Sequence, residues 1–357
     1  MYEYSHGGNA VFELGNENIV DLSANINPLG MPENVASAII RDIPNINRYP
    51  DNFSASLREK MAAFEGVNPD WIFFANGASD IIFRLPRAVR ATKVMVCAPT
   101  FADYERSARS YGAEVCYHTM SKDNDFSLDS SFVKAVQIEK PKLTYICNPN
   151  NPTGKLTETG MIRDLLDFCK LIGAWVVVDE CFIDFTEQAS IYTSKALLND
   201  YSNIIVLKAF TKMFALSGIR LGYALCADKA LIDNLYFHGA DWAVSNIAQA
   251  AGVAALGDAN DFIKRTADYV AAQRCVIEKE LACLGYKVFA SSANYILFQN
   301  PFPFDLYDAL NSEGIRIRSC GNFRGLDETY YRIAVSTKEN NAKLLAVMKE
   351  VSVGKQS

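Results

Sequence analysis

NIIVLKAFTKMFALSGIRLGY, residues Asn203 to Tyr223, begins with a strand-like apolar run, IIVL, and then places Lys208, the pair Thr211–Lys212 and, eight residues further on, Arg220. Lys212 and Arg220 are strong cations among residues that otherwise have the composition of a core. An unpaired buried charge is costly, so the simplest account leaves both at the surface and solvated. Working outward, similar runs recur: WIFFANG (Trp71 to Gly77), KVMVCAP (Lys93 to Pro99), LTYICNP (Leu143 to Pro149), AWVVVDE (Ala174 to Glu180) and RLGYALC (Arg220 to Cys226). Strands that are apolar on both faces are what a mostly parallel sheet covered by helices requires. Helical patterns fill the gaps, among them ADYERSARSYG and TETGMIRDLLDFCKLIG, the second starting at a Thr cap and ending at a Gly. The expected fold is α/β, a three-layer αβα domain. After about Gly257 a long amphipathic helix, DFIKRTADYVAAQRCVIEKELACLGY, precedes the strand candidates ANYILFQ, IRIRSC and YYRIAVS, a pattern that suits a smaller α+β domain.

Composition bounds the function. The 357 residues are enough for two domains. Hydrophobic residues make up 50% and charged residues 21%, as in an ordinary globular enzyme. A net charge of −6 offers no long-range attraction to nucleic acid or to an anionic membrane, so any bound anion must be held by local basic groups. No apolar run has membrane-spanning length and the start, MYEYSHGGN, lacks a signal-peptide layout; the expected location is cytoplasmic. Nine cysteines without CxxC spacing read as reduced thiols, Cys97 and Cys147 as core residues. Three histidines, His6, His118 and His238, with no His/Cys cluster, argue against a metal site.

In an open α/β sheet ligands gather at the carboxyl ends of the strands. After WIFFA come Gly77, Ala78 and Ser79, at the start of a helix whose free N–H groups would cradle a phosphate, although a plain turn reads the same way. After LTYIC comes NPNNPTG, Asn148 to Gly154, which builds tight turns and is a more specific signal. After AWVVV comes Asp179, a carboxylate at a strand end that could simply cap a helix.

In this order a phosphate cradle, an Asn, a buried Asp, a Lys and an Arg resemble the fold type I pyridoxal-phosphate enzymes, the aspartate aminotransferase superfamily, over nearly the whole chain. The resemblance implies pyridoxal 5′-phosphate as cofactor. Lys212 would form the Schiff base with its aldehyde, a role for an amine that readily loses its charge in a desolvated site. Asp179 would keep the ring nitrogen protonated, Asn151 would donate to the phenolate oxygen and Phe101 would stack on the ring. Gly77, Ala78, Ser79, Thr211 and Arg220 would hold the phosphate, and Tyr49, in NRYPD, would reach it from the partner subunit of a homodimer with shared active sites. Two positions depart from the family pattern: Ala209 stands where a hydroxyl residue is common and Phe182 where a Tyr is, removing one phosphate contact and one phenolate donor.

The bond held perpendicular to the ring plane is the one that breaks, so the anchoring of the substrate's ends selects the reaction. Arg332, in YYRIAV, matches the family's arginine for the α-carboxylate. Its bland alternative is a strand arginine paired to a nearby acid. HGGN (His6 to Asn9), DLSANINPLG (Asp21 to Gly30) and IRSCGNFRGLDETYYRIAV (Ile317 to Val335) together resemble the L-threonine-O-3-phosphate decarboxylases of cobalamin biosynthesis. That resemblance implies a small phosphorylated amino acid as substrate, with His6, Asn25 and Arg318 on its phosphate, Arg332 on its carboxylate, and Gly8 and Asn151 beside it. Residues 1–38 would form a lid segment joining the small domain, 39–256 the large cofactor domain and 257–357 the small domain. Rival readings are histidinol-phosphate aminotransferase, serine-phosphate decarboxylase, separated by one methyl worth about 1 to 3 kcal/mol, and a cofactor-binding regulatory domain without catalysis.

Overall fold

A computed structural model describes residues 7–8 and 19–354. The first described strand, β1 (Val20–Asp21), lies outside the main sheet. β2 (Ile72–Ala75), β3 (Lys93–Ala98), β4 (Glu114–Thr119), β5 (Leu143–Cys147), β6 (Trp175–Asp179), β7 (Ile204–Ala209) and β8 (Gly222–Leu225) form one sheet of order β2-β8-β7-β6-β5-β3-β4. The pairs along β7-β6-β5-β3-β4 are parallel, and β8 runs antiparallel to both of its neighbours.

The central strands are buried on both faces because their sequences are apolar at nearly every position, Thr144, Asp179 and Lys208 being the exceptions. Val176, Val178, Ile204 and Val206 enter one core, while Val177, Ile205 and Leu207 enter the other. That two-residue alternation is the pleat itself, and it makes the sheet the middle of three layers. β4 carries EVCYHT, polar and only partly buried, and the apolar pattern therefore does not announce it; it occupies the edge.

β9 (Lys287–Phe289), β10 (Tyr295–Gln299), β11 (Ile315–Arg316), β12 (Arg318–Ser319) and β13 (Tyr330–Ala334) follow the 25-residue helix Ala259–Cys283. β12, β13, β10 and β9 form an antiparallel sheet, whereas β11 pairs in parallel with β1. IRIRSC is thus two short strands broken at Ile317, not one. A boundary after residue 256 falls in the turn between the helices Asn246–Ala255 and Ala259–Cys283. A boundary after residue 38 falls within the helix Glu33–Asp42, which packs on Asn246–Ala255, while β1 before it pairs with β11.

The expected Thr cap is also corrected. The helix Thr159–Leu171 starts after Glu158 with no side-chain cap; Thr157 stands one residue further out, where its N–H donates to Asn148 Oδ1 at 2.9 Å. At its far end Gly173 adopts φ +65°, the left-handed turn that glycine allows. Among the described residues no helix is long and apolar enough to cross a membrane, and no His, Cys, Asp and Glu cluster is arranged to hold a metal.

Candidate active site

The carboxyl ends of β3, β5, β6 and β7 open into a cavity of about 650 Å³, closed on its far side by residues of the small domain. Ala78, Ser79, Phe101, Asn151, Asp179, Thr211, Lys212, Arg220, Arg318, Arg332 and Asn25 all line it. Asn25 and Arg332, 307 positions apart in the chain, therefore share one space.

One end of the cavity is built for an anion. The helix Ala78–Ala88 begins there, and the first N–H groups of a helix have no partner within it. Gly77 takes φ +80° and packs so closely on Arg220 that a Cβ would lie 2.6 Å from its Nη2. Gly222 permits the same approach from β8: a Cβ would stand 2.3 Å from the backbone nitrogen of Ala78. Arg220 itself is exposed, as the simple surface account had it, yet its backbone is held left-handed at φ +59° and its Nη1 donates to Ser217 O at 3.1 Å. A strained non-glycine residue fixed beside a helix start is consistent with a placed cation rather than a free surface charge.

The middle of the cavity holds the amine. Lys212 sits in the single turn Phe210–Met213 that follows β7. Burial lowers its pKa, and the positive charges of Arg332 and Arg220 lower it further against the pull of Cys181 and Asp179, to about 8. Asn27 clamps this turn: its N–H donates to Lys212 O at 3.2 Å and its Nδ2 to Met213 O at 2.6 Å. Asp179, the last residue of β6, is buried, which raises its pKa, while Tyr104 Oη and the Cys181 N–H donate to its two oxygens at 2.7 and 3.0 Å. Tyr104 stacks on Tyr145 at 4.8 Å and meets Phe101 edge-on at 5.7 Å. Ala209 and Phe182, the two departures, also line the cavity, and Phe182 packs edge-on against Tyr295 at 5.0 Å.

The small-domain end carries two arginines on facing strands. Arg332 on β13 is 5% exposed; its Nη1 donates to Asn151 Oδ1 at 2.5 Å and its Nη2 to Ser23 O at 2.7 Å. Burial brings its pKa down to about 10. Its expected alternative, pairing with an acid, is not what the structure has: both acceptors are neutral oxygens. Arg318 on β12 is its register partner and donates to Asn322 Oδ1 at 2.8 Å over the ring of Phe323. Two buried atoms on cavity-lining residues, Asn25 Oδ1 and Arg332 Nε, have no hydrogen-bond partner among the described residues. Leaving them so costs free energy that a ligand offering a donor to Asn25 Oδ1 and an acceptor to Arg332 Nε would return.

The segment before β1 reaches this end as well. Gly7 lines the cavity, with no room for a Cβ, which would lie 2.3 Å from Ser23 O. Gly8, at φ +97°, donates to Ser23 Oγ at 2.9 Å. His6 and Asn9 lie outside the described residues. Tyr49 is not brought to this chain's cavity: it is 79% exposed and stacks on Trp242 at 4.4 Å. Sequence reasoning missed Tyr104, Ser23 and Asn27, and it missed Lys208, whose buried amine pairs with Glu65 and Asp184 at 3.2 Å each. The clue for Lys208 was parity, since along β7 it shares a face with the core residues Ile204 and Val206.

The family model for class I and II aminotransferases matches residues 17–348. Among curated relatives, threonine-phosphate decarboxylase of Salmonella typhimurium is 32% identical, covering 99% of this chain and 98% of its own. Histidinol-phosphate aminotransferase of Methanococcus aeolicus is 28% identical over 95% of this chain and 92% of its own. The solved histidinol-phosphate aminotransferase of Clostridium acetobutylicum superposes with a TM-score of 0.88 at 29% identity, covering 94% of this chain and 100% of that one.

Proposed function

The chain belongs to the class I and II aminotransferase family and is a pyridoxal-phosphate-dependent enzyme, and from that premise we propose that it decarboxylates L-threonine O-3-phosphate to (R)-1-amino-2-propanol O-2-phosphate, a building block for cobalamin. The donor set fits the cofactor. Ala78, Ser79, Thr211 and Arg220 would take its phosphate, Phe101 its ring face, Asn151 its phenolate oxygen and Asp179 its ring nitrogen. When bound, pyridoxal phosphate supplies a conjugated, electron-withdrawing ring that stabilises the carbanion left at the substrate's Cα.

The observation that carries the reading is the pair Arg318 and Arg332, register partners on β12 and β13 that face the same cavity as Lys212. Two guanidiniums at one end suit a substrate with two anionic groups. Arg332, held from behind by Asn151 and Ser23, would grip the carboxylate, and Arg318 with the Nδ2 amide of Asn25 the phosphate. Anchoring both ends fixes which Cα bond stands perpendicular to the ring. Carbon dioxide then leaves with the Cα–carboxylate bond broken heterolytically, and Lys212, whose pKa of about 8 lets it exchange protons near neutrality, returns one proton to Cα.

We further propose a homodimer. Ile40, Ile46, Tyr49, Phe53 and Trp242 are large apolar residues exposed on the monomer, and burial against a second copy would bring Tyr49 toward the partner's phosphate site. The deciding experiment mixes purified, cofactor-loaded protein with threonine phosphate and follows gas release without any keto acid. Carbon dioxide evolved under those conditions supports the reading. Amino transfer from histidinol phosphate to 2-oxoglutarate, with no gas, would make the chain an aminotransferase instead. Serine phosphate run in parallel measures how far the extra methyl is recognised.

A further inference from the structure

We propose that Arg324 is a specificity-determining residue that captures the substrate's phosphate at the cavity mouth, an inference resting on the phosphorylated-substrate reading above. Arg324 belongs to the loop between β12 and β13, which forms the outer wall of the cavity on the small-domain side. Facing it across the opening are Glu105 and Tyr117 of the large domain. Its guanidinium lies over the Tyr117 ring, 4.0 Å from the centroid, and its Nη2 is 3.9 Å from Glu105 Oε1.

That carboxylate is already engaged. Arg109 Nε donates to Glu105 Oε1 at 2.7 Å and Arg109 Nη2 donates to Tyr117 Oη at 3.2 Å. Two guanidiniums therefore share one carboxylate, and the nearer one holds it, so the trio Arg109, Arg324 and Glu105 carries one positive charge in excess. On a chain of net charge −6 such a local excess acts where it stands. Stacking on Tyr117 uses the face of the Arg324 guanidinium and leaves its N–H edge to point at a ligand. A phosphate dianion needs more than one cation, and Arg318 and Arg324 lie on the same wall, six residues apart. Half-exposed and long, Arg324 can meet the phosphate as it enters and stay stacked as it settles.

The test uses cofactor-loaded protein and the initial change in its cofactor absorbance on rapid mixing with ligand, so that affinity is read before turnover accumulates. O-Phospho-L-threonine, L-histidinol phosphate, L-threonine and inorganic phosphate are titrated at low and high salt into wild type, Arg324→Gln and Arg324→Lys. The expected result is roughly tenfold weaker binding of the phosphorylated ligands by the Gln variant, about 1.4 kcal/mol. Its salt dependence should be shallower, L-threonine should bind as before, and the Lys variant should recover the salt dependence. Inorganic phosphate as a weak, Arg324-dependent competitor supports the same assignment. Equal weakening of phosphorylated and unphosphorylated ligands, or no weakening, overturns it. If only histidinol phosphate binds and Arg324→Gln weakens it, the Arg324 assignment stands and the decarboxylase reading falls.

Discussion

Tyr104 Oη lies 2.7 Å from Asp179 Oδ2, a contact that spans 75 residues and ties the first turn of the helix Asp103–Tyr111 to the end of β6. Burial raises the pKa of Asp179, and the donors from Tyr104 and Cys181 oppose that rise. Tyr104→Phe removes one donor and leaves a buried carboxylate oxygen short of a partner, a cost of about 1–3 kcal/mol. The carboxylate should protonate more readily and hold a cationic ring nitrogen less well. Expected are weaker cofactor retention on dialysis and at least tenfold slower turnover, with the aromatic stack on Tyr145 preserved. Unchanged retention and rate would mean that Tyr104 only packs.

Lys212 has a pKa of about 8, set by burial first and by Arg332 next. In the cofactor-free chain, labelling of Lys212 by a small amine reagent, followed by mass spectrometry, should rise with pH around 8 rather than around 10.5. Removing a neighbouring cation favours the protonated amine, so Arg332→Gln should move that midpoint upward. The stability sign follows from the same shift. The native amine releases its proton at lower pH than the unfolded one, so its burial cost is fully present below about 8 and is relieved as pH rises toward 10.5. A wild-type midpoint at the ordinary lysine value would contradict this electrostatic account.

What could be read along the chain was what local pattern encodes. β5, β6 and β7 are legible because each carries a nearly continuous apolar run, and Asn151, Asp179 and Lys212 because each lies at or just past the carboxyl end of such a run. β4 was hidden because an edge strand does not need two apolar faces. Asn27 and Ser23 were hidden for another reason. They act through contacts 186 and 309 residues distant in sequence, Asn27 on the lysine turn and Ser23 through a backbone carbonyl that any residue type would supply. Arg324 looked like one more charge in a loop until Tyr117 and Glu105 were found across the opening.

Gly222 separates the anion cradle from its neighbour strand by no more than a hydrogen atom allows. In Gly222→Ala the new Cβ would meet Ala78 N at 2.3 Å and Gly77 C at 2.6 Å, both backbone atoms that cannot rotate away. The start of the helix Ala78–Ala88 must shift, with an overpacking cost of about 1–3 kcal/mol. Pyridoxal phosphate affinity should fall at least tenfold, read by fluorescence titration of the cofactor-free chain. Gly218→Ala is the control: nothing lies within 4 Å of its Cβ, and the affinity should not change.

Glu65 anchors the ion network beneath β7. It accepts from Lys208 at 3.2 Å, Lys195 at 2.9 Å and Tyr223 Oη at 2.6 Å. Burial alone would raise its pKa, but Lys208 and Lys195 outweigh that and bring it down from 4.5 to about 2. The native carboxylate thus holds its proton less tightly than the unfolded one. Its contribution to stability is fully present above pH 4.5 and is lost as pH falls toward 2. Between pH 5 and pH 3 the wild type should lose about 2 kcal/mol from this group, measured by urea denaturation. Glu65→Gln should be less stable at pH 7 by about 3 kcal/mol, since Lys208 is left with Asp184 as its direct acid partner, and should show a flatter acid limb. An acid limb as steep as that of the wild type would place the sensitivity in other carboxylates.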